Sequence, residues 1–160
     1  MVQQATLIRY TWDEVWMTMA HTIGQRSHCS RSQCGCVVVT PKNAVVAVGY
    51  NGPPAGWYYE QDERCDVWCP RARTGGAAAY YDDCVASHAE MNALIRGSRA
   101  RFEGGTLYVT RMPCFTCAKS IANSGIARVV YRHNAEDADR EPERSKEMLE
   151  TSGLEVITYG

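Results

Sequence analysis

Apolar and polar positions along the chain follow two periods, and the places where one gives way to the other mark its elements. Thr11 with Glu14 three positions later is a capping-box signal, and Val15, Trp16, Met19, Ala20 and Ile23 follow at helical spacing, predicting a first helix that ends near Gly24. Two Val-rich runs, 34–40 and 44–50, are separated by Pro41, Lys42 and Asn43 and predict a β-hairpin. From 51 to 84 the periodicity stops among glycines, prolines and cysteines, predicting a long irregular excursion. Regularity then returns. The pattern predicts a helix over 87–98 with Met91, Leu94 and Ile95 inward, then a strand over 106–110. A helix from Cys114 stops at Gly125, and a strand covers 128–131. A charged surface helix over 142–151 is closed by Gly153, and a last strand covers 155–159. This order implies a three-layer α/β/α sandwich around one mixed five-stranded sheet.

Composition narrows the class. At 160 residues the chain fits one domain, 1–160, and its 45% hydrophobic and 22% charged residues exclude a disordered chain. The formal net charge of −1 supplies no global field for a polynucleotide backbone or an anionic membrane. Most of the 14 arginines, set against 3 lysines, read as a compositional bias. No apolar run approaches the roughly 18 residues of a spanning helix, and residues 1–10 lack the pattern of a signal peptide, so a cytoplasmic protein is expected. Eight cysteines in 160 residues fall short of the roughly 8–10% of small secreted disulfide scaffolds, which favours metal ligation.

The chemistry gathers in two helix starts, His88-Ala89-Glu90 and Pro113-Cys114-Phe115-Thr116-Cys117. Two thiols three positions apart on one helical turn can grip one ion, and His88 supplies a third ligand from a neighbouring helix. Three protein ligands leave a fourth tetrahedral position open, which marks a catalytic zinc rather than a closed structural one. Glu90, two residues after the histidine, is placed to take a proton from the attacking water and pass it on. A lone histidine or a lone Cys-x-x-Cys would have blander explanations. The combination is the established signature of zinc-dependent nucleobase deaminases.

On these residues the chain resembles the deoxycytidylate deaminases of the cytidine-deaminase-like fold. The likeness extends over Cys29-Ser30-Arg31, Cys34-Gly35-Cys36-Val37-Val38, 49–56 (Gly-Tyr-Asn-Gly-Pro-Pro-Ala-Gly), 88–93 (His-Ala-Glu-Met-Asn-Ala) and 107–110 running into Pro113. The resemblance implies that His88, Cys114 and Cys117 hold a catalytic zinc, that Glu90 shuttles protons, and that Asn51 hydrogen-bonds the sugar, with Ala89 among the substrate contacts. The implied reaction takes dCMP and water to dUMP and ammonia. Arg31 is the candidate for the substrate phosphate, since a guanidinium can meet it through two parallel hydrogen bonds. The resemblance further implies a homohexamer with dCTP and dTTP as effectors, and Arg99 falls where regulatory residues occur.

Cys65, Cys69 and Cys84, with Cys29 upstream, resemble the structural-zinc ligands of several members, and such an ion would order the loop over 51–85. Small buried thiols or a disulfide are the competing explanation. Cys34 and Cys36 share one face of a strand and look like core packing. Two features depart from the family pattern: Ala135 stands where many members carry a tyrosine, with His133 nearby, and 71–81 is an unusual connection. They leave the exact nucleotide open, a related cytosine nucleotide or nucleoside being the alternative. An RNA adenosine deaminase shares the signature but needs a polynucleotide surface, against which the near-neutral charge argues. A zinc-stabilised binding module would have no use for Glu90.

Overall fold

The computed structural model describes residues 9–58, 63–73, 84–135 and 142–160. Helix α1 (Trp12–Gly24) opens on a complete capping box, with Thr11 and Glu14 satisfying each other's backbone N–H groups. Strands β1 (Gly35–Val39) and β2 (Val45–Tyr50) form the antiparallel hairpin, turned at Asn43 with φ 59°. Helices α2 (Cys65–Trp68) and α3 (Pro70–Arg73) follow, each of four residues. Then come α4 (Ala89–Arg96), α5 (Arg99–Phe102), β3 (Thr106–Val109), α6 (Phe115–Ala122), β4 (Arg128–Arg132), α7 (Pro142–Thr151) and β5 (Glu155–Tyr159).

The sheet order is β2-β1-β3-β4-β5, with β1 antiparallel to both neighbours and β3, β4 and β5 mutually parallel. One face packs Cys36, Val38, Leu107, Val109 and Val129 against Ala89, Ala93, Ala118, Ile121 and Leu149 of α4, α6 and α7. The other packs Val37, Val39, Tyr108 and Val130 against Trp16, Met17 and Ala20 of α1. The mixed three-layer sandwich is thus the observed fold. Alternate residues of β1 feed the two cores, so all five are buried, as befits a strand covered on both sides. Asp13 fastens the layers together: it accepts two hydrogen bonds from Arg128 (2.9 and 2.8 Å) and one from the Tyr108 hydroxyl (2.6 Å). The Arg128 contact holds the Asp13 carboxyl below its ordinary range.

Helix faces differ from the sequence pattern in two places. Val15 is partly exposed while Met17 is buried, because α1 meets β1 where Gly35 lets the backbone of Ala20 approach closely. On α4, Ile95 points to solvent at 72% exposure, and Met91 and Leu94 are only half-buried. The inward face is instead Ala89, Glu90 and Ala93. Gly49 of β2 lies against the backbone of Ala89 and Ala93, so the small side chains, not the large ones, set the approach. Helix α4 also stops at Arg96, two residues early, and the chain turns through α5 to bury Phe102. Gly125 ends the α6 region with φ 92°, the left-handed conformation expected of it. Within the excursion, α2 and α3 supply local structure that its lack of periodicity did not predict. Most of the connection over 71–81, like residues 1–8, lies outside the described residues.

Candidate active site

Strands β2 and β3 run in the same direction on either side of β1, and the chain beyond the end of each leads to the N-terminal ends of α4 and α6, which meet. His88 is the N-cap of α4 and Cys114 the N-cap of α6, both in extended conformation and neither using its side chain as a cap. Those side chains turn toward each other. His88 Nδ1 lies 3.5 Å from Cys114 Sγ and 3.3 Å from Cys117 Sγ, and the three ligand atoms lie within 4.8 Å of one another. Among the described residues this is the one group of three or more His, Cys, Asp or Glu side chains so gathered. A hydrogen bond from Cys117, assisted by His88, holds the Cys114 thiol down to about 3 against the opposing effect of burial. The same contact pushes Cys117 far up, with burial and the charge of Glu90 adding to it. Two thiols and an imidazole nitrogen converging at this spacing suit zinc by donor chemistry, and both helix N-termini favour negative charge there.

The motif 49–52 positions the histidine. Gly52 and Ser87 exchange backbone hydrogen bonds (3.1 and 2.9 Å), pinning the residue before His88 to the end of β2. Asn92 donates to Tyr50 O (2.8 Å) from the first turns of α4. Asn51 lines the cavity and braces its wall: Oδ1 accepts from Cys34 N–H (2.8 Å) and Nδ2 donates to Ser32 O (2.9 Å). Glu90 is only 5% exposed and sits close enough to Cys36 and Cys117 for its charge to raise both thiols, after burial in the case of Cys36 and after the Cys114 contact in that of Cys117.

A cavity of about 270 Å³ opens over this group. His88, Ala89, Glu90, Cys114, Asn51 and Arg31 line it, so every proposed catalytic and substrate-contact residue reaches one space. Arg71, Arg111 and Ser32 line it as well, and sequence reasoning passed over all three. Arg111 could have been noticed as a cation at a strand end, two residues before Pro113-Cys114. Arg71 could have been noticed two residues after Cys69. Arg99 is elsewhere, in a surface groove between α4 and α6, where it donates to Asn123 O (3.1 Å). His133 and Ala135 are exposed just beyond β4.

Cys29, Cys65, Cys69 and Cys84 line a second, much smaller cavity. Burial pushes Cys69 up, yet hydrogen bonds from the backbone N–H groups of Ala72, Val85 and Arg71 bring it below the ordinary thiol range. Cys84 is raised by burial, with Cys69 and Cys29 beside it, and Cys65 Sγ accepts from Ser30 N–H (3.3 Å). The four sulfurs share a space without the tight convergence of the first group. Cys36 is fully buried and Cys34 packs against the same core, as their strand spacing suggested.

With His88, Cys114 and Cys117 placed to hold a metal ion, Glu90 buried beside them and a cavity above, this sandwich has the arrangement of a zinc-dependent deaminase. The model of the cytidine and deoxycytidylate deaminase zinc-binding region matches residues 10–133, and the chain belongs to that family. The deoxycytidylate deaminase of Mycobacterium phage D29 is 45% identical over 129 residues, covering 77% of this chain and 95% of the phage protein. That of Saccharomyces cerevisiae is 35% identical over 159 residues, covering 98% of this chain; the chain spans about half, 47%, of the yeast protein. Among solved structures, the dCMP deaminase of cyanophage S-TIM5 in complex with dCMP and dUMP superposes with a TM-score of 0.69 at 27% identity, covering 96% of this chain and all of that one.

Proposed function

We propose that the protein deaminates dCMP to dUMP and ammonia, and the observation that carries this reading is Glu90 buried beside the His88, Cys114 and Cys117 trio, with His88, Glu90 and Cys114 lining one cavity. When bound, a zinc ion held by the trio supplies Lewis acidity that readies water for attack at neutral pH. The chain's own residues do the rest. Glu90 accepts the proton of the attacking water, delivers it to the ring nitrogen next to the reacting carbon, and then helps the exocyclic amine leave as ammonia. Ala89, fully buried at the helix start, leaves room for the flat base between His88 and Glu90. Asn51 presents its amide to the sugar from the wall that it braces, and Arg31 stands at the mouth for the phosphate.

The same reading extends to the cysteine-lined cavity, where Cys29, Cys65, Cys69 and Cys84 bind a structural zinc that orders the excursion. The backbone N–H groups aimed at Cys69 Sγ support it, because they favour the thiolate that a metal requires. The effectors dCTP and dTTP, with Arg99 at a regulatory site, and a homohexameric assembly rest on family resemblance. No helix of the described residues is long and apolar enough to cross a membrane; a cytoplasmic location is proposed with the rest.

Ammonia release from dCMP, deoxycytidine, cytidine and a tRNA, each with zinc-loaded protein, tests the assignment. Turnover of dCMP above the others is expected. Turnover of the tRNA alone would move the protein to the RNA adenosine deaminases, and none at all would leave a binding module.

A further inference from the structure

The stretch between α1 and β1 closes over Asn51, and one buried hydroxyl begins the closure. Ser27 is 3% exposed. Its Oγ donates to Asn51 O (2.7 Å) and accepts from Cys29 N–H (3.2 Å), while its own carbonyl accepts from Gln33 Nε2 (2.8 Å). Further along the same stretch, Asn51 Nδ2 donates to Ser32 O and Asn51 Oδ1 accepts from Cys34 N–H. Residues 27–34 are thus clasped to Asn51 at both ends, by the Asn51 backbone at the first and by its side chain at the last.

The peptide unit joining Asn51 to Gly52 is gripped from two sides. Ser27 Oγ holds its C=O, and its N–H donates to Ser87 O (3.1 Å), in the residue before His88. Ser87 N–H also donates to Gly52 O (2.9 Å), so the approach to His88 keeps a bond of its own when the Ser27 contact is lost. The Asn51 carbonyl, by contrast, takes its hydrogen bond from Ser27. An amide side chain can make more bonds than the two that Asn51 spends on the wall, and the direction of the remainder follows the backbone that carries it.

We propose that Ser27 is a positioning residue for substrate binding, which holds the Asn51 peptide so that the Asn51 amide meets the nucleotide's sugar already aimed. This rests on the deaminase reading above, with its sugar contact at Asn51, and deepens it. Ser27 does not line the catalytic cavity, so it acts through Asn51 and not by touching the nucleotide. Without the hydroxyl, the Asn51 carbonyl and the Cys29 N–H lose a buried partner, the peptide is free to turn, and the nucleotide must order it on arrival. The chemical step at Glu90 does not pass through this contact, so binding weakens and turnover of bound substrate does not.

A double-mutant cycle on KM and kcat for dCMP tests this in zinc-loaded protein, using the wild type, Ser27→Ala, Asn51→Ala and the double variant. Ser27→Ala should raise KM about tenfold, the scale of one lost hydrogen bond, with kcat held within about twofold. Ser27→Thr, which keeps the hydroxyl, should bring KM back toward the wild-type value. Once Asn51 is replaced, adding Ser27→Ala should change KM by less than about twofold, because the side chain that Ser27 aims is gone. A second tenfold rise in that background would mean that Ser27 supports the fold independently of Asn51, and it overturns the proposal. So does an unchanged KM in Ser27→Ala, a loss confined to kcat, or a KM in Ser27→Thr no lower than in Ser27→Ala. If Asn51→Ala turns over too slowly to measure, calorimetric Kd values for dUMP complete the cycle by the same criteria. If Ser27→Ala does not fold, Ser27→Cys, similar in volume and a weaker donor, takes its place. Failure of the wild type to release ammonia from dCMP would instead refute the deaminase reading.

Discussion

Glu90 carries more consequences than any other single side chain. It is buried, it neighbours two thiols, and it opens onto the cavity at the first turn of α4. Glu90→Gln keeps the size and loses the ability to accept a proton, so the rate of ammonia release from dCMP should fall by about 10²- to 10⁴-fold while zinc content holds. A variant that keeps near wild-type turnover would remove Glu90 from the mechanism. His88, Cys114, Cys117 and Glu90 could be picked out in the sequence because their chemistry depends on short local spacings at helix starts. Arg111 and Ser32 could not, because they are 79 residues apart and meet only in space.

At the scale of elements, the approach of α4 to β2 decides where the chemistry sits. Gly49 has no side chain, and a Cβ there would run into the carbonyl of Ala89 and the amide of Ala93. Gly49→Ala should therefore push α4 away from the sheet, at a cost of about 1–3 kcal/mol. Thermal unfolding should show a lower Tm, and turnover should fall too, because His88 and Glu90 ride on the displaced helix. An unchanged Tm would mean that the helix is not seated as closely as described. The same contact explains why the apolar pattern misassigned Ile95: periodicity finds the largest apolar residues, whereas a close helix–sheet approach selects the smallest.

For the molecule as a whole, the ledger of metal ions is the most direct measurement. Elemental analysis of protein purified without chelator should give about two zinc per chain if both cysteine sets are filled. Cys69→Ser should lower that count and the Tm together, with activity remaining where the catalytic trio stays loaded. One zinc per wild-type chain, with Cys69 open to a thiol reagent, would remove the structural zinc at Cys29, Cys65, Cys69 and Cys84.

The main helices and strands, the mixed sheet they imply, and the two short motifs that carry His88, Glu90, Cys114 and Cys117 were present in the linear sequence, since each element or motif depends on residues within a few positions of one another, whereas α2, α3 and α5 were not. Capping at Thr11, the stop at Gly125 and the turn at Asn43 are local events of the same kind. Only the tertiary structure decided which helix faces are buried, that Asn51 and Gly52 hold the wall beside His88, and that three arginines far apart in the chain line the same cavity as Glu90. Those outcomes depend on how closely backbones approach and on which side chains share a cavity, and neither follows from the spacing of residues along the chain.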